Sequence, residues 1–372
     1  MTEPRSITPG AAVRWGIVGG GPMAAGFAAD LRQVDGAEIV AVTSRTAESA
    51  IRAGARLRID RVHPDLDAFA ADDTIDVAYV ATPHHTHADI TIALLEAGVA
   101  VVCEKPFALD GDEARRMVGA ARDAGVFCME AMWTRFLPAI RRARAVVSEG
   151  GIGDLLEVHA DFSVNVPIRE GDRRFDPSTG GGALLDLGVY TAAIADLFAG
   201  PVESGDDAVA AHVAIGPSGV DERVAALVRH QSGASSVLGA SIVSEGPGRA
   251  LLVGTTGTIE LPGPVCAPDR MILRRHGGAV VATNGRGGLA GRVASLPGGS
   301  QLTGVARTVR RRLGARRVER LPANGNGYTH EIDEVHRCLR AGRTESDAHD
   351  LDTTVRVADL LDRIRWASSS ES

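Results

Sequence analysis

The sequence is almost without lysine: of its 40 lysine and arginine residues, only Lys105 is a lysine. Cysteine and aromatic residues are also sparse, with four cysteines and 4% Phe, Trp and Tyr. Cys103, Cys128, Cys266 and Cys338 form no CxxC pair and show no metal-ligand spacing, so the pattern does not indicate a cysteine metal site. Cys103 and Cys128 lie inside apolar runs, where reduced and buried thiols are expected.

Long apolar runs and a basic excess are missing as well. No segment approaches the ~18–20 uninterrupted apolar residues of a membrane span, and the opening "MTEPRSITPGAA" has no apolar core like that of a secretory signal. The formal net charge of −7 makes a broad polyanion-binding surface unexpected. We therefore expect a cytoplasmic protein without a membrane or nucleic-acid partner, and its 372 residues suggest two domains.

The first third of the chain alternates strand-like and helix-like segments. Five short apolar runs, at 13–21, 37–44, 75–82, 99–106 and 126–133, are separated by segments with helical character. Such alternation is typical of βαβ units with a parallel sheet, and continuously apolar strands indicate a sheet covered on both faces. The first third of the chain is therefore predicted to form βαβ units around a parallel sheet.

A glycine-rich turn joins the first predicted strand to the first helix. Gly19, Gly21 and Ala24, with Pro22 and Met23 between them, fit the pattern G-x-G-x-x-A. The first glycine permits a tight turn, the second lets a pyrophosphate approach, and the helix N-terminus attracts its charge. A plain glycine turn would look similar, but the position in a βαβ series favours a dinucleotide site.

The end of the second strand indicates which dinucleotide binds. An NAD site commonly has an acidic residue there for the ribose 2′-hydroxyl, whereas this chain has Ser44 and Arg45. An arginine can bind a 2′-phosphate and stack on adenine. NADP is therefore the predicted cofactor and NAD stays possible, unless Arg45 is only a solvated loop residue.

Two further strand ends carry polar residues toward the same cleft, since ligands lie beyond the carboxyl ends of parallel strands. In "ATPHHTH", Thr82 and Pro83 begin a turn expected under the nicotinamide, with His84 or His87 nearby. The three histidines, including His85, are too closely spaced for a metal site on one helical face. We expect no metal here, and helix capping or cofactor contact instead.

The single lysine stands at the next strand end, in "CEKPF". Lys105 follows a buried strand and Glu104, which can orient it. The lysine ammonium is compact and its pKa responds to burial, whereas the arginine guanidinium is a planar fork that stays protonated. A positive charge beside a hydroxyl helps that hydroxyl to lose a proton. A stray surface lysine is the weaker alternative, because the surroundings are apolar.

The second half of the chain is predicted to be rich in consecutive strands with frequent turns. Strand-like runs follow one another without intervening helices at 155–164, 222–231, 234–244, 249–261 and 270–275. One helix is expected at 181–200, where Asp186 and Tyr190 are four residues apart and share a face. An acid and a phenol on one face suggest a site, although an ordinary surface pair is the alternative.

Residues 283–326 are rich in Gly and Arg and lack a strand pattern. We expect a flexible insertion there, and its basic run could alternatively contact phosphate or an acidic partner. Two amphipathic helices follow near the end of the chain, and the last is a candidate for packing back on the first domain.

Four motifs together resemble the Gfo/Idh/MocA oxidoreductases: the glycine turn, "TPHHTH", "CEKPF" and the stretch "FCMEAMWTRFLPAI". "MEAMWTRF" and "GGGALLDLGVY" are most similar to the dihydrodiol dehydrogenase and NADP-dependent D-xylose dehydrogenase group. The resemblance covers about residues 13–262 and resumes at 327–346. It implies an α/β Rossmann domain with a doubly wound parallel sheet over residues 13–134. It also implies an α+β domain over residues 135–372 with a large, mostly antiparallel open sheet. Because that sheet often forms the oligomer interface in the family, a homodimer or homotetramer is expected.

The resemblance also implies roles for individual residues. Lys105 and Asp186 would orient the substrate, and Tyr190 would handle the proton. Many relatives have histidine in place of Tyr190 and aspartate in place of Ala193, so this chain suits the dihydrodiol and xylose dehydrogenase group better than inositol dehydrogenases. We hypothesise that Tyr190, its pKa lowered by the Lys105 ammonium, removes a hydroxyl proton while a hydride leaves for NADP⁺.

Trp133 and Arg135 would line the nicotinamide and substrate pocket, although core packing is a rival role for Trp133. The expected activity is hydride transfer between a sugar, polyol or cyclic diol and the nicotinamide. Alternatives are an inositol or other aldose dehydrogenase, a non-catalytic NADP-binding regulator, and a scaffold or nucleic-acid binder.

Overall fold

The computed structural model describes residues 10–169, 171–276 and 316–367 of the chain. A five-stranded parallel sheet with strand order β2-β1-β3-β4-β5 forms the first domain. Its strands are β1 (Val13–Val18), β2 (Ala37–Thr43), β3 (Val77–Val80), β4 (Ala100–Glu104) and β5 (Cys128–Ala131). Every residue of β3, β4 and β5 is buried, which confirms the predicted sheet covered on both faces.

Six α-helices accompany or follow these strands. They are α1 (Pro22–Leu31), α2 (Ala47–Leu57), α3 (Leu66–Ala70), α4 (His87–Glu96), α5 (Gly111–Ala124) and α6 (Pro138–Ser148). The bounds of α5 follow from local chemistry: the Asp110 side chain accepts a hydrogen bond from the Glu113 amide, and Gly125 ends the helix at φ 65°. Helices α1 and α6 each begin with proline at the first helical position, where its missing N–H is not needed for a helical hydrogen bond.

The second domain contains an eight-stranded sheet with the order β13-β12-β11-β10-β6-β9-β8-β7. Its strands are β6 (Leu155–Ser163), β7 (Val209–Ile215), β8 (Asp221–Arg229), β9 (Ser235–Ser241), β10 (Ala250–Gly254), β11 (Gly257–Leu261), β12 (Arg270–Arg275) and β13 (Arg316–Arg320). All pairs are antiparallel except β6 with β9. The mostly antiparallel open sheet is confirmed.

The described part of the second domain also contains three α-helices: α7 (Val189–Ala199), α8 (Thr329–Arg340) and α9 (Leu351–Ala367). Helix α7 packs on β6 and β9, and α9 packs on α5, α7 and β7. Helix α9 is tied to the first domain by the Gly111 amide, which donates to Asp362 at 2.8 Å. Helix α8 is tied to it by Trp15, whose Nε1–H donates to His336 Nε2 at 3.0 Å.

Four details of the second domain differ from the sequence prediction, and the first is edge strand β7 (Val209–Ile215), which was not predicted. The run 249–261 is a hairpin of β10 and β11 and not one strand. The helix predicted at 181–200 begins with a π turn at Leu184–Gly188. Residues 316–320, placed in the predicted insertion, form edge strand β13, paired with β12. The rest of that insertion up to 315 lies outside the described residues.

One helical stretch of the described chain, Pro177–Ala199, is long and apolar enough to resemble a membrane span. However, 83% of its most apolar window is buried inside the protein. A core helix packed on a sheet has this burial, so the stretch is weak evidence for a span.

Candidate active site

The glycine turn between β1 and α1 leaves its backbone open where a phosphate would approach. Gly19 has φ 111°, and a Cβ there would come within 2.4 Å of the Ala81 carbonyl oxygen, so only glycine fits. By contrast, a Cβ on Gly21 would meet nothing within 4 Å. Gly21 is the N-cap of α1 and makes no side-chain cap hydrogen bond. An open backbone at a helix N-terminus fits a pyrophosphate, which the sequence pattern predicted.

The end of β2 carries a half-buried Ser44 and an exposed Arg45. A second guanidinium lies at the glycine turn itself, because Arg56 on α2 donates to the Gly20 carbonyl at 3.2 Å. Sequence reasoning missed Arg56, since nothing in its surroundings distinguishes it from the many other arginines. Met23, at the start of α1, is 37% exposed and lies against the Tyr328 hydroxyl, 4.0 Å from its sulfur.

The turns after β3 and β4 are joined by one buried histidine. His87 is fully buried, with Nδ1 2.9 Å from the Pro106 carbonyl oxygen and Nε2 3.0 Å from that of Thr82. A neutral imidazole has one N–H and so donates to one of these carbonyls at a time. Burial lowers the pKa of His87, which keeps the ring neutral. Pro83 precedes the short 3₁₀ turn His84–Thr86 as its cap.

Lys105, the only lysine, is 8% exposed at the end of β4. Its Nζ donates to the Asp186 backbone carbonyl at 2.8 Å and lies 3.5 Å from Asp186 Oδ1. The same Nζ lies 4.8 Å from the centre of the Tyr190 ring. One ammonium from the first domain therefore meets both predicted catalytic residues of the second domain.

A buried carboxyl group steadies the strand end that carries Lys105. Glu104 accepts hydrogen bonds from the Tyr79 hydroxyl and, at 3.1 Å, from the Lys105 amide. Burial raises the pKa of Glu104, although the Tyr79 hydroxyl and the Lys105 ammonium oppose that rise. Glu104 is thus placed beneath Lys105 and contacts the protein backbone and Tyr79.

The backbone carbonyl that accepts from Lys105 belongs to the π turn at Leu184–Gly188. A π turn interrupts the regular i to i+4 ladder of an α-helix, and Asp186 stands at its centre. Burial raises the pKa of the Asp186 carboxyl group, but Lys105 and then Arg173 outweigh burial and bring this pKa to about 2. Asp186 is therefore ionised in the physiological pH range.

Tyr190 is 5% exposed, and its hydroxyl oxygen accepts a hydrogen bond from Trp133 Nε1 at 3.3 Å. Burial raises the pKa of Tyr190 well above its ordinary value. The expected lowering of this pKa is wrong for this structure, because the Lys105 ammonium lies over the face of the ring and not at the hydroxyl. Tyr190 is a neutral phenol here.

The other two predicted pocket residues, Trp133 and Arg135, have different surroundings. Trp133 is 8% exposed and lies between Tyr190 and Tyr328, with ring centroids of Trp133 and Tyr328 5.4 Å apart. It therefore belongs both to the core and to the Lys105 neighbourhood. Arg135 is buried and pairs with Asp196, 3.6 Å away and further along α7 than Tyr190. The structure does not bring Arg135 together with Lys105.

Arg173 is the functional candidate that sequence reasoning missed. It lies in a short 3₁₀ turn, Arg173–Phe175, and its guanidinium contacts His84 Nε2 at 3.1 Å and Asp186 Oδ1 at 3.3 Å. With 39 arginines in the chain, residue type gave no signal. Arg173 thus joins a group of neighbouring side chains that also contains Lys105, Asp186, Tyr190 and His84.

Among the described residues, no group of three His, Cys, Asp or Glu side chains is arranged to hold a metal ion. His84 and His87 instead direct their ring nitrogens at protein groups.

Comparison with known families finds two matches along the chain. Residues 13–132 match the model described as an oxidoreductase family with an NAD-binding Rossmann fold, and residues 140–260 match the GFO/IDH/MocA C-terminal domain. Residues 133–139 lie between the two matches.

Curated relatives match over nearly the full chain. Trans-1,2-dihydrobenzene-1,2-diol dehydrogenase of Sus scrofa is 31% identical over 362 residues, covering 96% of this chain and 97% of the relative. The Homo sapiens protein of the same name is 30% identical over 358 residues, with the same coverage.

Solved structures show the same fold at lower identity. Levoglucosan dehydrogenase, in complex with NADH and levoglucosan, has a TM-score of 0.80 at 22% identity, covering 97% of this chain and 98% of its own. KijD10, a 3-ketoreductase from Actinomadura kijaniata in complex with NADP and TDP-benzene, has a TM-score of 0.75 at 23% identity, covering 96% and 98%.

Proposed function

Because the chain belongs to the Gfo/Idh/MocA family and is an NAD(P)-dependent oxidoreductase, we propose that it uses NADP(H) to oxidise a sugar or a cyclic diol. The proposed reaction moves a hydride between the nicotinamide and a carbon that bears a hydroxyl group. The observation that carries the proposal is the meeting of Lys105 with Asp186 and Tyr190 at the carboxyl end of a parallel strand. A cytoplasmic location stays a prediction.

The residues around the glycine turn fit the cofactor. The open backbone at Gly21 and the N-terminus of α1 would hold the pyrophosphate, and Arg45 would bind the 2′-phosphate that distinguishes NADP from NAD. When bound, the nicotinamide supplies the hydride chemistry. The remaining work, which is to bind, orient and move a proton, belongs to residues of this chain.

Tyr190 is the proposed group that exchanges a proton with the substrate oxygen. Its raised pKa makes it a proton donor when a carbonyl is reduced, since the neutral phenol is then the abundant form. In the oxidation direction the same phenol must lose its proton, so this direction is favoured at higher pH. The Lys105 ammonium would stabilise negative charge on the substrate oxygen, and the ionised Asp186 holds that ammonium in place.

The relatives support the substrate class. The curated relatives act, by their names, on trans-1,2-dihydrobenzene-1,2-diol, and levoglucosan dehydrogenase acts on a sugar derivative. We therefore propose trans-dihydrodiols first, followed by aldoses such as D-xylose. Inositol is disfavoured, because Tyr190 and Ala193 stand where many inositol-type relatives have histidine and aspartate.

The test is reduction of NADP⁺ and NAD⁺ measured at 340 nm with a panel of trans-dihydrodiols, aldoses and cyclitols. We expect turnover with NADP⁺ and at least one trans-dihydrodiol or aldose. Binding of NADPH without turnover on any member of the panel would contradict the proposed substrate class. Equal kcat/KM with NAD⁺ and NADP⁺ would contradict the cofactor assignment.

We also propose that the chain is a homodimer or homotetramer assembled through the outer face of the eight-stranded sheet. Leu227 on β8 and Val237 on β9 are direct register partners, and they are 58% and 40% exposed. On the other side of Val237, its register partner on β6 is His159, and the register partner of His159 on β10 is the half-buried Leu251. The row therefore continues across β6 to β10. An apolar row on an outer sheet face marks a surface that another chain can cover.

Analytical ultracentrifugation tests this assembly. The variant Leu227→Lys places a charge in the apolar row and should shift the sedimenting species toward a monomer. Arg223→Lys, on the same outer face of β8, keeps the charge and should leave the mass unchanged. A monomeric wild-type protein at micromolar concentration would contradict the proposal.

A further inference from the structure

Arg173 connects the two domains through a single guanidinium. Its Nη1 contacts His84 Nε2 at 3.1 Å, and its Nη2 donates to Asp186 Oδ1 at 3.3 Å. His84 follows β3 of the first domain, whereas Arg173 and Asp186 belong to the second. The planar fork of arginine can serve two acceptors at once, which the single ammonium of lysine cannot do in the same geometry.

The contacts of His84 settle which of its ring nitrogens carries the hydrogen. His84 Nδ1 lies 3.1 Å from the Gly180 carbonyl oxygen, which can only accept, so Nδ1 is the donor. Arg173 can only donate, so Nε2 carries the lone pair. Both nitrogens are thus occupied, and His84 has none left for a proton transfer to substrate. A cofactor contact of His84 would have to use another part of the ring.

The backbone around Arg173 is held as firmly as its side chain. The Arg173 carbonyl accepts a hydrogen bond from the Thr179 hydroxyl at 2.9 Å. A Cβ on Gly181 would come within 2.7 Å of the same carbonyl, so the chain passes closely over this turn. The Arg173 side chain is 42% exposed, so the direction of its guanidinium is set by His84 and Asp186.

We propose that Arg173 is a positioning residue, which fixes His84 as the neutral Nδ1–H tautomer and aims the Asp186 carboxylate at Lys105. The inference rests on the proposed function only for its kinetic part. Without Arg173, the Nε2 lone pair of His84 would be unpaired, and Asp186 would keep Lys105 as its one cationic partner.

The charged surroundings give the direction of the expected pH effect. The groups that face His84 and Asp186 are Lys105, Arg173, His87 and each other, and Arg174 also acts electrostatically on Asp186 without an ion pair to it. Burial lowers the pKa of His84 to about 3, with Lys105 and Arg173 as the next causes. Loss of Arg173 would therefore raise the pKa of His84 and that of Asp186 together. Activity that needs ionised Asp186 and neutral His84 would then be lost at a higher pH than in the wild type.

The primary test is the tautomer of His84, read from nitrogen-15 shifts in long-range proton–nitrogen spectra of the histidine-labelled full-length chain. The variant His84→Gln assigns the signal among the 11 histidines. We expect a pure Nδ1–H tautomer in the wild type between pH 5 and 8. In Arg173→Met we expect a mixture of the two neutral tautomers in that range. An unchanged Nδ1–H signal in Arg173→Met would overturn the inference, whatever the chain's activity.

The kinetic test uses whichever substrate the panel identifies. Arg173→Met should lower kcat/KM about tenfold or more, since hydrogen bonds to charged groups are involved. The acid limb of its pH profile should move up by roughly 1 pH unit. Arg173→Lys keeps the charge near Asp186 and should restore the acid limb but not the His84 tautomer. Wild-type kcat/KM and an unmoved acid limb in Arg173→Met would contradict the inference.

Arg174 is the matched control, because it lies in the same short turn but pairs with Asp172 at 2.6 Å and not with His84. Arg174→Met should leave the His84 tautomer and the pH profile as in the wild type. If Arg174→Met and Arg173→Met changed both readouts equally, the effect would come from disruption of the turn, and the inference would fail.

Discussion

The two sheets of this protein divide the work of the site, and they differ in how they are buried. The five-stranded sheet is covered on both faces and brings Lys105 and His84 to its strand ends. The eight-stranded sheet is covered mainly on one face, where α7 packs and presents Tyr190 after the π turn that carries Asp186. The doubly covered sheet supplies the cation, and the singly covered sheet supplies the acid and the phenol. Neither domain contains a complete site alone.

The largest effect is expected at the residue that the first domain contributes. Lys105→Arg keeps a positive charge, but the wider guanidinium cannot take the buried position 2.8 Å from the Asp186 carbonyl and over the Tyr190 ring. We expect kcat to fall by about 1000-fold while NADPH binding is retained, measured by steady-state kinetics and by fluorescence titration of NADPH. Arg116→Lys on the exposed side of α5 is the control exchange and should change neither.

Turnover of Lys105→Arg at the wild-type rate would contradict this division of work between the domains, because the first domain would then supply only cofactor binding.

The second domain is tested through Tyr190 and pH. Burial raises the pKa of this phenol. At pH values below that pKa, the deprotonated fraction of Tyr190 grows about tenfold with each unit by which the pH is raised. The kcat/KM for alcohol oxidation should therefore rise with pH across 6 to 9. Tyr190→Phe should lose about 100-fold in kcat and abolish this slope, as measured in constant-ionic-strength buffers.

A pH-independent wild-type oxidation rate, with Tyr190→Phe equally active, would remove the phenol from the chemistry. Asp186 does not produce the slope, since its pKa of about 2 lies far below this range.

A third prediction concerns the cofactor end of the first sheet. Arg45→Asp places a carboxylate where an NAD site commonly has one and repels a 2′-phosphate. The ratio of kcat/KM for NADP⁺ to that for NAD⁺ should fall by about 100-fold, measured by reduction of each cofactor at saturating substrate. Arg116→Asp makes the same charge change elsewhere and should leave the ratio unaltered. An unchanged ratio in Arg45→Asp would mean that Arg45 is only a solvated loop residue.

The smallest effect is expected where the C-terminal helices attach to the first domain. Trp15→Phe removes the buried N–H that donates to His336 and should lower the free energy of unfolding by about 1–2 kcal/mol. Chemical denaturation followed by circular dichroism measures this change. Trp366→Phe is the control, because Trp366 is 66% exposed on α9. Equal stability of both variants would show that α8 needs no polar tie to β1.

The difference in burial between the two sheets also bears on which strands could be predicted from the sequence. Strands buried on both faces are continuously apolar, so all five strands of the first domain are visible as runs in the sequence. In the second sheet the inner strands were predicted, whereas both edge strands, β7 and β13, were missed. Edge strands pair on one side only and tolerate charge, and β13 reads Arg-Arg-Val-Glu-Arg. Such a segment has no apolar pattern to detect. Strand β7 reads Val-Ala-Ala-His-Val-Ala-Ile, so charge does not explain why it was missed.

The candidate site divides in a similar way. Lys105, Asp186 and Tyr190 could be selected because lysine and tyrosine are rare in this chain and because their motifs resemble a family. Arg173 could not, since arginine is common and its partners are 89 and 13 residues away. The π turn and the burial of the Tyr190 hydroxyl arise from tertiary packing, which is why the predicted direction of the Tyr190 pKa was wrong.

Because Lys105 is the only lysine in the sequence, its side chain can be labelled selectively. A reagent that acylates side-chain amines has one target in this chain, and that target is sealed between the domains. Covalent labelling of Lys105, read by peptide mass spectrometry, therefore reports how often the domains separate. Protection from labelling by an added nucleotide would measure occupancy directly, with no substrate required.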